Sequence, residues 1–500
     1  MLLNLFGSDR EAMSGVDTAW LRMDRPTNLM VINGIMFFDG PVDFERLSAV
    51  IDSRLLRHRR FKQKVVRSGA NAAWEDDPDF DLANHLHLVA LPGQAGKAEL
   101  ERMVNDLIST PLDFAKPLWQ FYVVENYQGG SALIARIHHC IGDGIALIQV
   151  LLSMTDKEAD AAVATRPRKP RFHAGGDDDD LFMRLYRPVA KMYTGMLKSY
   201  FKLIGTGYGL MMNPSKLAGY TQTGLGLAEG LARLTTLPAD PRTRFKGPLS
   251  TVKRIAWSES LPLAEVKHVG RALGCSINDV LLSCVAGALR AYLIDAGEED
   301  IDGLDIRASV PVNLRPESKL DQLGNYFGLV FLSLPIGVAN PIERVYEVRR
   351  RMEEIKGSYD AVIALGLLSL LGMLPDAVEQ PAIEYFSTKS TAVMTNVPGP
   401  REQIYMAGSP VRDLNFWVPQ SGEIGIGVSI LSYNEHVNFG VMTDKKLVAE
   451  PARIVERFGA EFEKLVLVTL MQHWDQPPDP GLAEINLALW SLMHDVEAES

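Results

Sequence analysis

The sequence predicts two α/β sandwich domains. Its 500 residues exceed the roughly 100–200 that one domain usually holds, so two large units are expected. Strand-like runs alternate with helical periodicity in both halves, which favours helices layered on sheets. Hydrophobic residues make up 47% of the chain and charged residues 23%, as in a globular protein. The predicted units are an N-terminal domain over 1–155, a linker over 156–240 and a C-terminal domain over 241–500.

In the first half, one helix and one hairpin have the clearest patterns. A helix is expected over about 43–57, where apolar residues share one face: Leu47, Val50, Ile51 and Leu55. Phe121–Asn126 and Ser131–His138 are typical of two strands, joined by a turn at Tyr127–Gly130. An apolar helical run, Ile145–Leu152, follows the second strand after a short loop.

The second half shows the same alternation of helices and strands. A helix is expected over Pro341–Lys356, because Asn340 and Glu343 provide a capping signal and Gly357 a stop. Ser276 and Asp279 form a capping box for a second helix, Ile277–Leu293. Three further runs predict strands: Ala308–Pro311, Leu329–Leu334 and Gly425–Ser432.

Composition excludes several classes of protein. The net charge of −11 argues against nucleic acid as a partner, because phosphate binding needs a positive face. Cys140, Cys275 and Cys284 form no CxxC pair, so neither a disulfide framework nor a zinc site is expected, and a reduced cytoplasmic setting follows. The apolar run Ala361–Leu374 is too short to span a bilayer, and the N-terminus lacks a signal-peptide pattern.

The predicted linker contains a feature typical of membrane surfaces. Four aspartates, Asp177–Asp180, precede a stretch over 181–228 that has no acidic residue. Five basic residues fall on one arc of a helical wheel, beside a broad apolar face: Arg184, Arg187, Lys191, Lys198 and Lys202. Such a helix can lie in a membrane interface. It can equally pack on the protein with its lysines in water, and both interpretations remain open.

One segment, His138-His139-Cys140-Ile141-Gly142-Asp143-Gly144, carries the chemistry. It follows a strand, so the side chains of His138 and His139 point to opposite faces and only one of them addresses a given pocket. The opposed histidines also argue against a metal site built with Asp143. An imidazole with a pKa near neutrality is suited to deprotonating an alcohol. A thioester is already activated, so its attack by that alcohol requires no protein nucleophile.

The HHCIGDG segment matches the HHxxxDG signature of CoA-dependent acyltransferases. Within that superfamily the chain resembles the bacterial wax ester synthase/diacylglycerol acyltransferase family. The further matches, in order along the chain, are Pro117-Leu118-Trp119, Ser276 to Val280, Pro311-Val312-Asn313-Leu314-Arg315, and Asn396 to Pro400. The resemblance extends from about Met13 to about Leu470 and departs from the family at Ser432-Tyr433-Asn434-Glu435 and near Val31, where the family often has histidine.

The resemblance implies a fold, a reaction and a set of site residues. It implies two chloramphenicol-acetyltransferase-like domains with a channel between them, and transfer of a long-chain acyl group from acyl-CoA to a fatty alcohol or diacylglycerol. His139 is expected to be the general base, with His138 and Asp143 in the same catalytic motif, Asp143 orienting it. Gly144, Asn278 and Trp119 are the expected substrate-binding residues. No cofactor is expected beyond acyl-CoA as substrate, and no metal. The expected location is cytoplasmic, peripheral on the inner membrane face or on lipid inclusions.

Four other classes of protein compete with this hypothesis. A carrier-protein-dependent condensation module uses the same histidine motif, and a lipid-droplet coating protein would explain the basic amphipathic stretch. His138 and Asp143 have the H-x4-D spacing of glycerolipid acyltransferases, but no Glu-Gly-Thr-like segment follows. A hydrolase elbow, G-x-S-x-G, is absent; Gly427-Val428-Ser429 lacks the second glycine. The acceptor, the acyl chain length and the oligomeric state stay open.

Overall fold

The computed structural model describes residues 10–68, 71–163, 234, 236–315, 323–355, 360–372, 376–471, 480–482 and 484–489. The elements of the first half are β1 (Arg10–Ala12), α1 (Gly15–Met23), β2 (Val31–Phe38), α2 (Phe44–Val50), β3 (Gln63–Ser68), β4 (Asn71–Asp76), β5 (Leu86–Val89), α3 (Lys97–Ile108), β6 (Trp119–Tyr127), β7 (Gly130–His138), α4 (Gly144–Ser153) and β8 (Thr155–Asp156). The predicted amphipathic stretch over 181–228 lies outside the described residues, as does most of the predicted linker.

The second half continues the same alternation. Its elements are β9 (Lys253–Trp257), β10 (Leu261–Pro262), α5 (Leu263–Ala272), α6 (Ile277–Asp295), β11 (Ile306–Asn313), β12 (Phe327–Leu334), α7 (Pro341–Ile355), α8 (Asp360–Leu371), α9 (Asp376–Ser387), β13 (Ala392–Pro398), β14 (Tyr405–Met406), β15 (Ser409–Trp417), β16 (Ile426–Tyr433), β17 (His436–Asp444) and α10 (Ala452–Met471). The predicted helices and strands are therefore confirmed, except that α2 is shorter than predicted because the chain continues as a π-helical turn over Ile51–Leu55.

The first sheet has seven strands in the order β5-β6-β7-β2-β15-β14-β8. The predicted hairpin forms its centre, since β6 and β7 pair antiparallel and β7 then pairs with β2. Strands β14 and β15 come from the second half of the chain, and β15 pairs with β2 from Val411 to Trp417. The predicted division into domains 1–155 and 241–500 did not include this pairing, in which two strands from the second half of the chain join the sheet of the first half.

The second sheet is also seven-stranded, in the order β10-β17-β16-β13-β11-β12, with β9 paired to β17. Helix α6 packs against it and is buried along most of its length, with Val285, Ala286 and Leu289 fully enclosed. Among the helices in the described part of the chain, α6 alone has the length and mean hydropathy, 1.5, to cross a bilayer. Because 72% of that window is buried within the protein, α6 has the character of a core helix.

Two caps fix the helices that flank the site. The Asp143 carboxylate accepts from the backbone N–H of Ala146 at 2.8 Å, so α4 begins directly after the histidine segment. At the start of α6, Asp279 N–H donates to Ser276 Oγ at 3.1 Å, and the Asp279 carboxylate accepts from Ser276 N–H at 2.9 Å. The predicted capping box is therefore confirmed.

Helices α1 and α8 close the space between the sheets on one side. Helix α8 lies directly against β12, and Gly328 permits this approach because an added Cβ would overlap the carbonyl oxygen of Ala361. Close packing of α8 at Gly328 places its apolar residues Ala364, Leu368 and Leu371 along the cleft. The fold thus leaves an apolar space between the sheets, bordered by the end of β7.

Candidate active site

His139 follows the last residue of β7 and is enclosed by aromatic rings. Its backbone N–H donates to the carbonyl of Met30 at 2.7 Å, which fixes the strand end against the segment before β2. The imidazole stacks on Trp20 with ring centroids 4.0 Å apart and an interplanar angle of 10°, and the ring of Phe327 lies 5.6 Å away. These contacts hold the imidazole plane, and the side chain is 7% exposed.

One ring nitrogen of His139 is fixed by Asn325. His139 Nδ1 lies 3.0 Å from Asn325 Oδ1. The Asn325 amide nitrogen is engaged elsewhere, donating to Asp17 Oδ1 at 2.7 Å and to the His139 carbonyl at 2.9 Å. Oδ1 of Asn325 therefore faces the ring and can only accept, so Nδ1 carries the proton and Nε2 is left bare. Within the described residues, Nε2 has no hydrogen-bond partner.

Asp17 anchors this arrangement from α1. Its carboxylate accepts from both the backbone N–H and the side-chain amide of Asn325, at 3.3 and 2.7 Å. Its own N–H donates to Ser14 Oγ at 3.1 Å, in the cap of α1. Burial raises the pKa of Asp17, and the hydrogen bonds from Asn325 and Ser14 act in the opposite direction. A chain of Asp17, Asn325 and His139 thus connects α1, the start of β12 and the end of β7.

His139 borders an apolar cavity of about 240 Å³ between the two sheets. The first sheet contributes Ile32, Gly34, Ala135 and Ile137, and the second sheet contributes Pro311, Leu329, Phe331 and Val393. The side chains on alternate residues of β12, from Phe327 to Phe331, all line this space. Four residues of strand span roughly 13 Å, so the cavity extends away from His139 far enough for part of a hydrocarbon chain.

Burial governs the protonation of His139. It lowers the pKa of the imidazole to about 4, although the residue's own backbone and the nearby Asp143 carboxylate favour the charged form. At neutral pH the ring is therefore neutral. A neutral imidazole with a bare Nε2 beside an apolar cavity can accept a proton from a hydroxyl group placed there.

Asp143 lies at the cavity but does not touch the imidazole in the described contacts. One carboxylate oxygen caps α4, and the other accepts from Arg315 Nη2 at 2.7 Å and from Tyr326 N–H at 2.9 Å. The ion pair joins the first half of the chain to the second, with both side chains buried. Asp143 thus anchors the loop, whereas Asn325 orients the ring. The expectation that Asp143 orients the imidazole is therefore corrected, because both of its carboxylate oxygens bond to other partners.

His138 faces the opposite side of β7, as strand alternation predicts. Its Nδ1 accepts from Cys140 N–H at 3.1 Å, so its Nε2 carries the proton and donates to Asp24 at 3.2 Å. The side chain is fully buried and does not line the cavity. The prediction that groups His138 with the catalytic residues is therefore corrected, because both its nitrogens are occupied and neither reaches the cavity.

The predicted substrate-binding residues fall in three different places. Gly144 lines the cavity, and the space beside its Cα is open, so a ligand can approach the backbone there. Asn278 accepts from the amide of Asn396, which lines the cavity, so Asn278 lies one residue removed from it. Trp119 is wrong as a substrate contact, because it is fully buried in the first core and its indole N–H donates to the Phe61 carbonyl at 2.8 Å.

Asn325, Asp17 and Trp20 complete the site and were missed from the sequence. Asn325 is 186 residues from His139, and no spacing pattern connects the two. Trp20 and Asp17 lie within Met13–Gly34, which resembles the family without any motif that marks chemistry. One weak signal was available: the Gly-Asn dipeptide that includes Asn325 is typical of a turn, and it directly precedes β12.

Models of one family match most of the chain. The wax ester synthase/diacylglycerol acyltransferase catalytic domain matches residues 13–281, and the C-terminal domain of the same family matches 323–466. A probable diacylglycerol O-acyltransferase of Mycobacterium tuberculosis is 27% identical over 470 residues, covering 91% of this chain and 96% of the relative. A putative diacylglycerol O-acyltransferase of the same organism is 28% identical over 425 residues, covering 80% and 83%.

Solved structures share the fold. The wax ester synthase/diacylglycerol acyltransferase from Marinobacter aquaeolei VT8 aligns with a TM-score of 0.65 at 20% identity, covering 92% of this chain and all of that one. The first condensation domain of the calcium-dependent antibiotic synthetase aligns with a TM-score of 0.56 at 14% identity, covering 95% and 98%. The predicted fold of two acyltransferase-like α/β domains is thereby confirmed. Together with the family models, these findings establish that the chain belongs to the wax ester synthase/diacylglycerol acyltransferase family of acyltransferases.

Proposed function

We propose that this acyltransferase moves a long-chain fatty acyl group from acyl-CoA to the hydroxyl of a fatty alcohol or a diacylglycerol, with His139 as general base. One observation carries the proposal: the bare Nε2 of His139 borders an apolar cavity between the sheets, while Nδ1 donates to Asn325. The apolar lining suits hydrocarbon chains on both substrates. The products are wax esters or triacylglycerols.

The reaction proceeds directly, within a complex of both substrates. The acceptor hydroxyl gives its proton to Nε2 of His139 as its oxygen attacks the thioester carbonyl carbon. A C–O bond forms and the carbonyl electron pair moves to oxygen. The tetrahedral intermediate then collapses, the C–S bond breaks, and the imidazolium returns the proton to the departing thiolate. Asn325, held by Asp17, keeps Nδ1 protonated throughout, so Nε2 is always the nitrogen that exchanges the proton.

The apolar environment makes His139 a weak but available base. With a pKa near 4, the neutral form dominates at physiological pH. The imidazolium that forms during attack is unstable in this buried site, which favours its rapid return of the proton to the thiolate. Trp20, stacked on the ring, excludes water from one face and prevents the base from rotating.

Competition between acceptors tests the proposal. Purified full-length protein is incubated with palmitoyl-CoA and equal amounts of hexadecanol and dioleoylglycerol, without carrier protein, and the lipid products are resolved by thin-layer chromatography. We expect ester formation with equimolar CoA release. Hydrolysis alone, or transfer only when the acyl group is offered on a carrier protein, would contradict the proposal; the latter outcome would favour a condensation-type enzyme, whose fold the chain shares.

Peripheral attachment to the cytoplasmic membrane face or to lipid inclusions is the second part of the proposal. Both acceptors dissolve in lipid, so an enzyme that uses them works at a lipid surface. The support is the basic, acid-free composition of 181–228. A flotation assay with anionic vesicles compares wild type with a variant in which Lys191, Lys198 and Lys202 are changed to glutamate. Reduced flotation with unchanged folding is expected, whereas equal flotation would count against this surface.

A further inference from the structure

The reaction proposed above generates an oxyanion, and the cavity must offer it a hydrogen-bond donor. A donor aimed at the developing charge is usually among the largest contributions to catalysis. Near His139, the Asp143 carboxylate only accepts, because Arg315, Tyr326 and Ala146 all donate to it. The indole N–H of Trp20 has no acceptor among the described residues, but the nitrogen is fully buried and so is not exposed to the open space. Neither of these two neighbours of the imidazole can donate a hydrogen bond to the oxyanion.

Several other polar residues of the cavity have their donors engaged or lie far from the base. Thr395 Oγ1 donates to the Val428 carbonyl, the Asn396 amide donates to Asn278, and Ser387 Oγ donates to the Glu384 carbonyl. Ser309 pairs with Phe331, which is four residues along β12 from Phe327. Ser309 therefore lies roughly 13 Å further from the imidazole than Phe327 does. A side-chain donor close to the base is therefore expected at the level of Phe327, whose ring lies 5.6 Å from that of His139.

Asn313 occupies that level. It is the last residue of β11 and pairs directly with Phe327 in the antiparallel ladder, so the two side chains stand on the same face of the sheet. The ring of Phe327 lies 5.6 Å from the ring of His139, and all three residues line the cavity. Asn313 is therefore one side chain away from the base.

The orientation of the Asn313 amide is fixed. Its Oδ1 accepts from Arg315 N–H at 3.0 Å, which leaves Nδ2 on the other side of the amide. Among the described residues, Nδ2 has no acceptor. Arg315 is itself immobilised, because its guanidinium donates to Asp143 and to the Gly324 carbonyl, each at 2.7 Å, and packs on the ring of Tyr326. The Asp143–Arg315 ion pair thus holds the turn that presents Asn313.

We propose that Asn313 is a further catalytic residue, whose Nδ2–H donates to the thioester carbonyl oxygen as that oxygen becomes negatively charged. This inference rests on the proposed function. When the alcohol oxygen bonds to the carbonyl carbon, the π electron pair moves to the carbonyl oxygen and the amide N–H stabilises it. When the pair returns, the C–S bond breaks and the thiolate takes the proton held by His139. The amide neither gains nor loses a proton.

Three substitutions of Asn313 separate a donor from a structural residue. Asn313→Asp keeps an oxygen for Arg315 N–H and nearly the same shape but loses the N–H donor. Asn313→Ala loses the donor without adding charge. Asn313→Ser restores a small group that both accepts and donates. Asn340→Asp is the matched control, because Asn340 caps α7 with its side-chain oxygen and aspartate caps equally well.

The assay measures kcat and KM with palmitoyl-CoA and hexadecanol, and thermal unfolding checks each fold. We expect kcat to fall about 10²–10³-fold in Asn313→Ala and at least as far in Asn313→Asp, with the KM for palmitoyl-CoA nearly unchanged. Asn313→Ser should exceed Asn313→Asp by about tenfold or more, and Asn340→Asp should match wild type. If Asn313→Ala does not fold, the comparison of serine with aspartate decides.

Three results would overturn the assignment, and they differ from a failure of the proposed function. Asn313→Asp with a kcat close to wild type would mean that Asn313 only braces the turn at Arg315. Serine and aspartate variants of equal kcat, or a loss confined to KM, would exclude an oxyanion donor. A wild-type protein that forms no ester from palmitoyl-CoA would instead overturn the proposed function, and the inference with it.

Discussion

The two faces of β7 at its C-terminal end place neighbouring imidazoles in opposite surroundings. On one face, His138 is sealed in the first core and uses both ring nitrogens, one toward Cys140 N–H and one toward Asp24. On the other face, His139 uses Nδ1 alone, toward Asn325, and presents Nε2 to the cavity. The two residues are of the same type and adjacent in the chain, so the unused nitrogen that faces open space is what distinguishes His139 as the proposed general base.

The supports of the two rings also differ in origin. The contacts of His138 come from the first half of the chain, at Asp24, Cys140 and Phe114. Those of His139 come from both halves, since Trp20 and Asp17 precede it and Asn325 and Phe327 follow the linker. His138 therefore stabilises one domain, whereas the geometry of His139 depends on correct assembly of the two.

The largest expected difference between the two faces is in catalysis. His139→Ala should lower kcat about 10²–10⁴-fold, the usual contribution of a general base, with the fold retained. His138→Ala should lower kcat less than about tenfold but reduce the free energy of unfolding by about 1–3 kcal/mol, because Asp24 and Cys140 N–H lose a buried partner. Steady-state ester formation and urea denaturation measure the two effects. An equal loss of kcat in both variants would show that His138 and His139 do not differ in their contribution to catalysis.

Loss of the orienting amide is the next largest effect. Asn325→Ala leaves His139 free to adopt the other tautomer, in which Nε2 carries a proton and cannot accept one. We expect kcat to fall about 10–100-fold with little change in the KM for palmitoyl-CoA. Asn84→Ala, at a polar residue of the first half outside the cavity, is the control. A kcat near wild type in Asn325→Ala would show that Trp20 stacking alone orients the ring.

The sequence predicts the local structure around the two histidines better than it predicts the partners of His139 from the second half of the chain. Strand β7, the helix that follows it and the opposition of His138 and His139 follow from patterns within about 20 residues, and the structure confirms them. The partners Asn325, Arg315 and Asn313 reach the site only because β11 and β12 are folded against the first sheet. Such contacts have no local periodicity, and the pairing of β15 with β2 is equally long-range.

The substrate-binding roles predicted for Trp119 and Asn278 depend on tertiary neighbours in the same way. Trp119 belongs to a motif that resembles the family, but a large indole beside the core is explained by packing and by its hydrogen bond to Phe61. Asn278 is a first-turn residue whose direction depends on Asn396 from a distant strand. In both cases the residue type was compatible with a ligand, and only the tertiary neighbours decide.

The pH dependence distinguishes a buried base from an exposed one. Because the pKa of His139 is about 4, kcat at pH 5.5 should stay within about twofold of kcat at pH 7.5. An imidazole with the ordinary pKa of about 6.5 would be mostly protonated at pH 5.5 and would lose about tenfold. A pH–rate profile of kcat at saturating substrates measures this, and a fall centred near 6.5 would contradict the burial of the catalytic ring.

The same shift affects stability. Between pH 6.5 and about 4 the unfolded chain protonates this histidine while the folded chain does not, so the free energy of unfolding falls as the pH is lowered through that window. The contribution is at most about 3 kcal/mol at 1.36 kcal/mol per pKa unit. It should be absent in His139→Ala, whose other groups titrate as in wild type. Urea denaturation of both proteins at pH 7 and pH 4.5 gives the difference.

The smallest expected effect is at Trp119. Trp119→Phe removes the hydrogen bond to the Phe61 carbonyl and should reduce the free energy of unfolding by about 1–2 kcal/mol. Because the ring lies outside the cavity, kcat and both KM values should stay within about twofold of wild type. A selective rise in the KM for either substrate would indicate that Trp119 does contribute to substrate binding.

The position of the proton on each of the two imidazoles can be observed directly. In ¹⁵N-histidine NMR spectra at pH 7, with His139→Ala and His138→Ala used to assign the resonances, we expect His139 to carry its proton on Nδ1 and to have a bare Nε2. His138 should show the reverse, with its proton on Nε2. A proton found on Nε2 of His139 would contradict its role as general base, because that nitrogen could not then take a proton from an alcohol.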